Sequence, residues 1–207
     1  MADEVNNIYV NLPPEANLQL PDPGLLAYYR DLGCRVYWLT GEINQDNYDL
    51  IQYIFRVNRE DKDIPVEKRT PIKIMFNSPG GELDVADAIV SVIELSQTPI
   101  YGYGIGLIGS AASQIFLSCH KRFALKTAYW ILHKGSAVMS GDYNSIANAM
   151  DDYHRQIEHL VKFYIEKTTY PSEIINDKIK SDCYIHTDEA LKYNVIEQII
   201  DDISVVF

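Results

Sequence analysis

Ile72-Lys-Ile-Met-Phe-Asn-Ser-Pro-Gly-Gly81 is the stretch on which the fold turns. Its first five residues form an apolar run that reads as a buried strand. Pro79 fixes one φ angle and removes a donor. Gly80 and Gly81 allow backbone conformations closed to other residues and let a ligand approach the main chain. After them Leu83, Val85, Ala86, Ala88, Ile89, Val92 and Ile93 recur at helical spacing, over about residues 83–95. A strand ends and a helix begins around two glycines, with backbone N–H groups directed outward, a place that can hold an oxyanion. Alone, Pro-Gly-Gly reads first as an ordinary tight βα turn.

Reading toward the C-terminus, residues 100–105 form another apolar strand, and Gly106-Leu-Ile-Gly-Ser-Ala-Ala-Ser113 is a second Gly-rich strand-to-helix turn, with Ser110 in it. Strand, helix, strand with short links predicts a right-handed crossover and parallel pairing. Residues 110–118 read as a short buried helix, and 122–125 and 129–132 as strands, the second ending in His133. Residues 142–167 place Ile146, Ala149, Met150, Tyr153, Ile157, Leu160, Val161 and Tyr164 on a helical stripe more than six turns long, more than a domain this size needs for its own core. A further helix starts at Pro171. Residues 182–186 read as a short strand, 187–193 as a capped helix and 195–203 as a last apolar element. Upstream, Val36 to Leu39 reads as a strand closed by Thr40-Gly41, 46–57 as an amphipathic helix and 60–71 as a charged loop. Residues 1–27, with Pro13, Pro14, Pro21 and Pro23, read as an extended N-terminal arm, and 28–207 as one domain.

Composition narrows the function. The chain has 207 residues, 47% of them hydrophobic and 23% charged, enough for one sizeable core. A formal net charge of −11 argues against nucleic acid or an anionic membrane as partner. No apolar run approaches a membrane span, and the N-terminus lacks a signal-peptide pattern. Cys34, Cys119 and Cys183 have no metal-ligand spacing and read as free thiols of a cytoplasmic protein.

A serine hydroxyl becomes a nucleophile when a neighbouring base takes its proton, and the base is usually a histidine oriented by a carboxylate. Five histidines are present: His120, His133, His154, His159 and His186. His133 emerges at a strand tip, where ligands collect; His154 and His159 lie in the long helix and read as surface or interface residues; His120 neighbours Lys121 and Arg122 and reads as solvated. Asp182 is the candidate orienter, Asp177, Asp188, Asp201 and Asp202 read as ordinary surface or capping residues, and Ser113, one helical turn from Ser110, is a rival nucleophile.

These motifs, over roughly residues 28–200, resemble the proteolytic subunit of the Clp protease, a self-compartmentalising serine peptidase. In that family an Asn-Ser-Pro-Gly-Gly turn precedes the nucleophile, and Ser110 keeps the spacing from Gly81 without a gap. Placing Ser110 on the family serine also needs a smaller deletion before His133 than placing Ser113 there. Arg122-Phe-Ala-Leu, an apolar strand and His133 resemble the segment that carries the base. Asp182-Cys-Tyr-Ile-His-Thr-Asp-Glu-Ala190 resembles the segment with the orienting aspartate. The resemblance implies a crotonase-like α/β fold of ββα units with a long projecting helix between stacked rings. It implies a serine endopeptidase with Ser110, His133 and Asp182 as its triad and the Gly81 and Ala111 amides as oxyanion hole, without metal or organic cofactor. It further implies peptides or unfolded proteins as substrate, a homo-oligomeric ring in the family's form of two stacked heptamers, and a Clp-type AAA+ ATPase partner. Rival readings are a crotonase-fold enzyme acting on acyl-CoA thioesters and a non-catalytic ring subunit; the first would not need a Ser-His-Asp set, and the second would be expected to lose triad residues. The chain departs from the family at Gly109, usually Ala. Lys73 and Met75 stand where the family has aromatics that form the ATPase pocket, so altered coupling is expected, and Ser181 stands where an arginine supports ring assembly.

Overall fold

The structure is a computed structural model and describes residues 22–136 and 138–206. Seven strands form one sheet in the order β1-β2-β3-β4-β7, all parallel along that path. They are β1 (Val36–Ile43), β2 (Ile72–Gly81), β3 (Ile100–Gly109), β4 (Lys121–Leu125) and β7 (Gln198–Ile200). β3 forks: residues 101–104 pair with β4, and 107–109 pair with β5 (Tyr129–Leu132), which carries the antiparallel β6 (Cys183–His186). The helices are α1 (Pro23–Gly33), α2 (Tyr48–Glu60), α3 (Leu83–Leu95), α4 (Ala111–Ser118), α5 (Tyr143–Lys167), α6 (Ser172–Lys178) and α7 (Thr187–Lys192). Residues 1–21 of the arm lie outside the described residues, and its end is helical: Asp22 accepts a hydrogen bond from the Leu25 N–H and Pro23 occupies the first turn, where its missing donor costs nothing.

Side-chain periodicity decides what each element buries. In α2, Leu50, Tyr53, Ile54 and Val57 form one apolar stripe. In β2, Ile72, Ile74 and Phe76 join the main core, which lies between one face of the sheet and the helices, while Met75 belongs to a small cluster on the other face with Val36, Tyr103 and Ile200. α4 is buried at every position, as a helix under a sheet edge must be, and Phe116 meets Phe76 edge-on. α5 is different: of its 25 residues only Leu160 and Tyr164 are buried, both near its C-terminal end. Its first turns project from the body, capped by Asp142.

β2 and β3 run further than their apolar runs. Pairing continues through Ser78 opposite Ile108 and Gly81 opposite Ile43, with a register shift between Phe76 and Ser78. At that shift the Asn77 side chain replaces the missing ladder bond by accepting from the Leu107 N–H at 3.1 Å.

Candidate active site

Each residue of Asn77-Ser-Pro-Gly-Gly81 has a separate task. Asn77 bridges to β3. Ser78, fully buried, accepts a hydrogen bond from the Gly80 N–H at 3.1 Å and fixes the turn. Gly80 has φ +102° and packs so closely that a Cβ there would sit 2.7 Å from both the Gly109 carbonyl oxygen and Ser110 Cβ. The motif therefore holds the end of β2 against the turn after β3.

That turn carries Ser110 at φ 49° and ψ −124°, a conformation that a non-glycine residue rarely adopts. Hydrogen bonds hold it on both sides. The Ser110 N–H donates to the Ile131 carbonyl of β5 at 2.8 Å, and its carbonyl accepts from the Ser113 N–H at 2.9 Å and from the Ser113 hydroxyl. Ser113 is fully buried, with Tyr164 Oη 3.2 Å from its Oγ, so its hydroxyl clamps the backbone of Ser110 and does not face the cleft. Burial pushes the Tyr164 phenol up to about 12, so it stays a neutral donor.

Ser110 lines a cleft of about 500 Å³ with Gly80, Gly81, Ala111 and His133. Ala111 is the first residue of α4, whose N–H has no acceptor within the helix. Gly81 ends β2 on the other side of the same cleft. His133 Nδ1 lies 3.4 Å from Asp182 Oδ1, and His133 Nε2 is buried with no hydrogen-bond partner among the described residues. Such contacts are often long in resting enzymes and tighten in the complex. The structure thus brings Gly81, Ser110, Ala111 and His133 to one cleft, with Asp182 behind the imidazole. Asp182 is well exposed, its side chain 60% accessible, where a buried carboxylate is the usual orienter.

The long helix enters the site, which its sequence did not announce. Tyr153, Gln156, Leu160 and Tyr164 of α5 and Gln114 of α4 wall the cleft, and the Tyr153 hydroxyl donates to the Gly135 carbonyl at 3.1 Å, just beyond His133. Tyr153, Leu160 and Tyr164 belong to the stripe that the sequence suggested as an interface, and Gln156 does not; that all four reach this cleft depends on how α5 crosses α4. Among the described residues no three His, Cys, Asp or Glu side chains cluster closely enough to hold a metal ion. No helix among them is long and apolar enough to cross a membrane.

Comparison with known proteins bears on the family and the fold. The ATP-dependent Clp protease proteolytic subunit 2 of Treponema denticola is 28% identical over 170 residues, covering 81% of this chain and 82% of its own. The subunit of the same name from Treponema pallidum is 28% identical over 181 residues, covering 84% and 86%. A solved ClpP1 mutant from Listeria monocytogenes superposes with a TM-score of 0.74 over 87% of this chain and 99% of its own; at 22% identity it shows the fold alone. Because the sequence model of Clp protease matches residues 28–202, nearly the whole described fold, the chain belongs to the Clp protease family and is a ClpP-type peptidase.

Proposed function

We propose that the chain is a serine endopeptidase that hydrolyses peptide bonds of unfolded proteins and peptides through Ser110, His133 and Asp182. The observation that carries the reading is Ser110 itself, held in a strained turn at the cleft that His133 enters with an Nε2 that has no hydrogen-bond partner among the described residues. His133 Nε2 takes the Ser110 proton as Oγ bonds to the scissile carbonyl carbon. The resulting oxyanion accepts hydrogen bonds from the Gly81 and Ala111 N–H groups, usually one of the largest contributions in such catalysis. His133 then gives the proton to the leaving amine as the C–N bond breaks. A water molecule, deprotonated by His133, attacks the acyl-enzyme, and the proton returns to Ser110. Asp182 holds the imidazole by its Nδ1–H and stabilises the imidazolium.

The chain works as a homo-oligomeric ring, stacked in pairs, that encloses this site. Supporting this, Tyr143, Ile146 and Met150 on the projecting part of α5 are exposed, as is Val138, and contiguous exposed apolar surface marks interfaces. A Clp-type ATPase feeds the ring; the relatives' names describe those proteins as ATP-dependent, and the sheet face opposite the site carries an apolar recess. The test of the chemistry is a fluorophosphonate probe followed by mapping of the adduct. Labelling is expected on Ser110 and absent in Ser110→Ala, with kcat lowered by about four to six orders of magnitude. An adduct on Ser113, or labelling that survives Ser110→Ala, refutes the assignment.

A further inference from the structure

Two grooves meet beside Ser110. The cleft shares Leu83, Gln114, Gln156 and Leu160 with a second groove of about 390 Å³ that continues along α3 and α5. Gln114 stands on the shared wall. Ser110 is the N-cap of α4 and Gln114 lies four residues on, in the helix, and both line the cleft. Gln114 is only 6% exposed, and its Oε1 is buried with no hydrogen-bond partner among the described residues. A buried amide oxygen without a donor is uncommon in folded proteins and calls for a reason. The hydroxyls of α4 do not supply one, because Ser113 donates to the Ser110 carbonyl and Ser118 to that of Ile115. A half-turn about the last side-chain torsion exchanges the oxygen and nitrogen of the carboxamide, so the acceptor can face the groove.

We infer that Gln114 is a specificity-determining residue, accepting a hydrogen bond from the tip of the substrate side chain on the acyl side of the scissile bond. The side chain it selects is long and donor-tipped, lysine or glutamine, in preference to an apolar chain of equal length. The inference rests on the serine-peptidase reading of Ser110. With the acyl carbon bonded to Ser110 Oγ, the substrate α-carbon is one bond further on, and a side chain that leaves the cleft for the second groove crosses the wall that Gln114 shares with Leu83, Gln156 and Leu160. Leu83, Val90 and Leu160 then line the path of the methylene stem. Farther along, Lys162 and Glu166 form an i, i+4 pair 3.7 Å apart, and Asp87, which shares the groove with His159 and has no ion pair among the described residues, places a carboxylate where a cationic tip would be favoured.

The test uses the full-length protein and fluorogenic peptides that differ only at the acyl-side residue: lysine against norleucine, and glutamine against methionine. In the wild type kcat/KM is expected to favour the donor-tipped member of each pair by about tenfold, the discrimination one well-placed hydrogen bond supplies. Gln114→Met should bring both ratios to about one or below. Gln114→Glu, which keeps the acceptor and adds charge, should raise the lysine ratio. Ratios taken within one variant do not depend on how much of it folds. Wild-type ratios at or below one, or ratios unchanged in Gln114→Met, overturn the inference. A small fluorophosphonate without an acyl-side side chain separates the two levels of the reading. Ser110 labelled with flat peptide ratios overturns only the role of Gln114; no labelling of Ser110 overturns the serine-peptidase reading and this inference with it.

Discussion

Gly109 shows how little room surrounds Ser110. A Cβ at that position would stand 2.6 Å from the Pro79 carbonyl oxygen, closer than a real methyl group approaches. The turn after β2 and the turn after β3 are therefore pressed together, and the alanine that the family usually carries there fits only if one of them moves. Gly109→Ala is expected to destabilise the protein by about 1–3 kcal/mol, the usual cost of overpacking, and to lower kcat/KM because the same backbone carries Ser110 and Ala111. A urea midpoint and a peptide-hydrolysis rate both equal to wild type would refute the close contact. The sequence exposed this junction through its two Gly-rich turns, and the resemblance to the Clp family, through its spacing from Gly81 and to His133, ranked Ser110 above Ser113. The physical difference between the two serines was hidden, because it depends on Tyr164, a residue 51 positions from Ser113 that seals the second hydroxyl in the core.

One ion pair ties together four separate parts of the fold. The Arg35 guanidinium, just before β1, donates to both carboxylate oxygens of Asp61 at 2.7 and 2.6 Å and to the Thr70 carbonyl at 2.6 Å, just before β2. Thr98, in the turn before β3, donates its hydroxyl to the same carboxylate at 2.9 Å. Asp61 is the C-cap of α2 and is 1% exposed. The Arg35 hydrogen bonds, aided by Thr98, hold its carboxyl below the ordinary carboxylate range against the opposing effect of burial. A carboxylate with a depressed folded-state pKa adds stability that is present above its unfolded pKa and disappears as pH falls through the lower folded value. Wild-type unfolding free energy should therefore carry an acid-labile component that persists into the range below pH about 4, the ordinary aspartate value, and Asp61→Asn should lack it. Asp61→Ala, which strands the guanidinium, should cost about 3–5 kcal/mol at neutral pH. Parallel losses of stability on acidification in wild type and Asp61→Asn would refute the assignment. The sequence showed α2 and a charged loop after it, but nothing in a local window marks Asp61 among the loop's charges, since its partners lie 26 and 37 residues away.

Two surfaces carry the predictions about assembly and partners, the exposed first turns of α5 and the second face of the sheet. The first predicts assembly: native mass spectrometry at micromolar concentration should find a multiple of the 23.6 kDa subunit, and a monomer would refute the ring. Met150→Asp, at an exposed position of α5, should weaken association without unfolding the subunit. The long stripe that suggested this was legible in sequence because it exceeds what one small core can bury. On the second face, Lys73 and Met75 alternate with Ile72, Ile74 and Phe76 along β2, and Lys73 was expected to bring a charge to the pocket that the family resemblance assigns to an ATPase. Met75 is buried there, and with Trp38, Tyr103, Leu125, Ile200 and Val206 it lines a recess of about 60 Å³ whose lining residues do not include Lys73. The C-terminal residues 200–206 complete that recess, and no pattern within β2 could reveal them. A recess of this size suits one aliphatic side chain from a partner loop, whose full burial contributes about 1.5–3 kcal/mol. Trp38 forms its rim and is 43% exposed, so its removal opens the recess without opening the core. Trp38→Ala is expected to slow degradation of a folded, tagged substrate by a standard Clp unfoldase and ATP by about tenfold, the factor that corresponds to roughly 1.4 kcal/mol of lost docking. Hydrolysis of a short peptide, which needs no unfoldase, should stay at the wild-type rate. If the variant degrades the folded substrate as fast as wild type, or if both activities fall together, the recess is not where the ATPase docks.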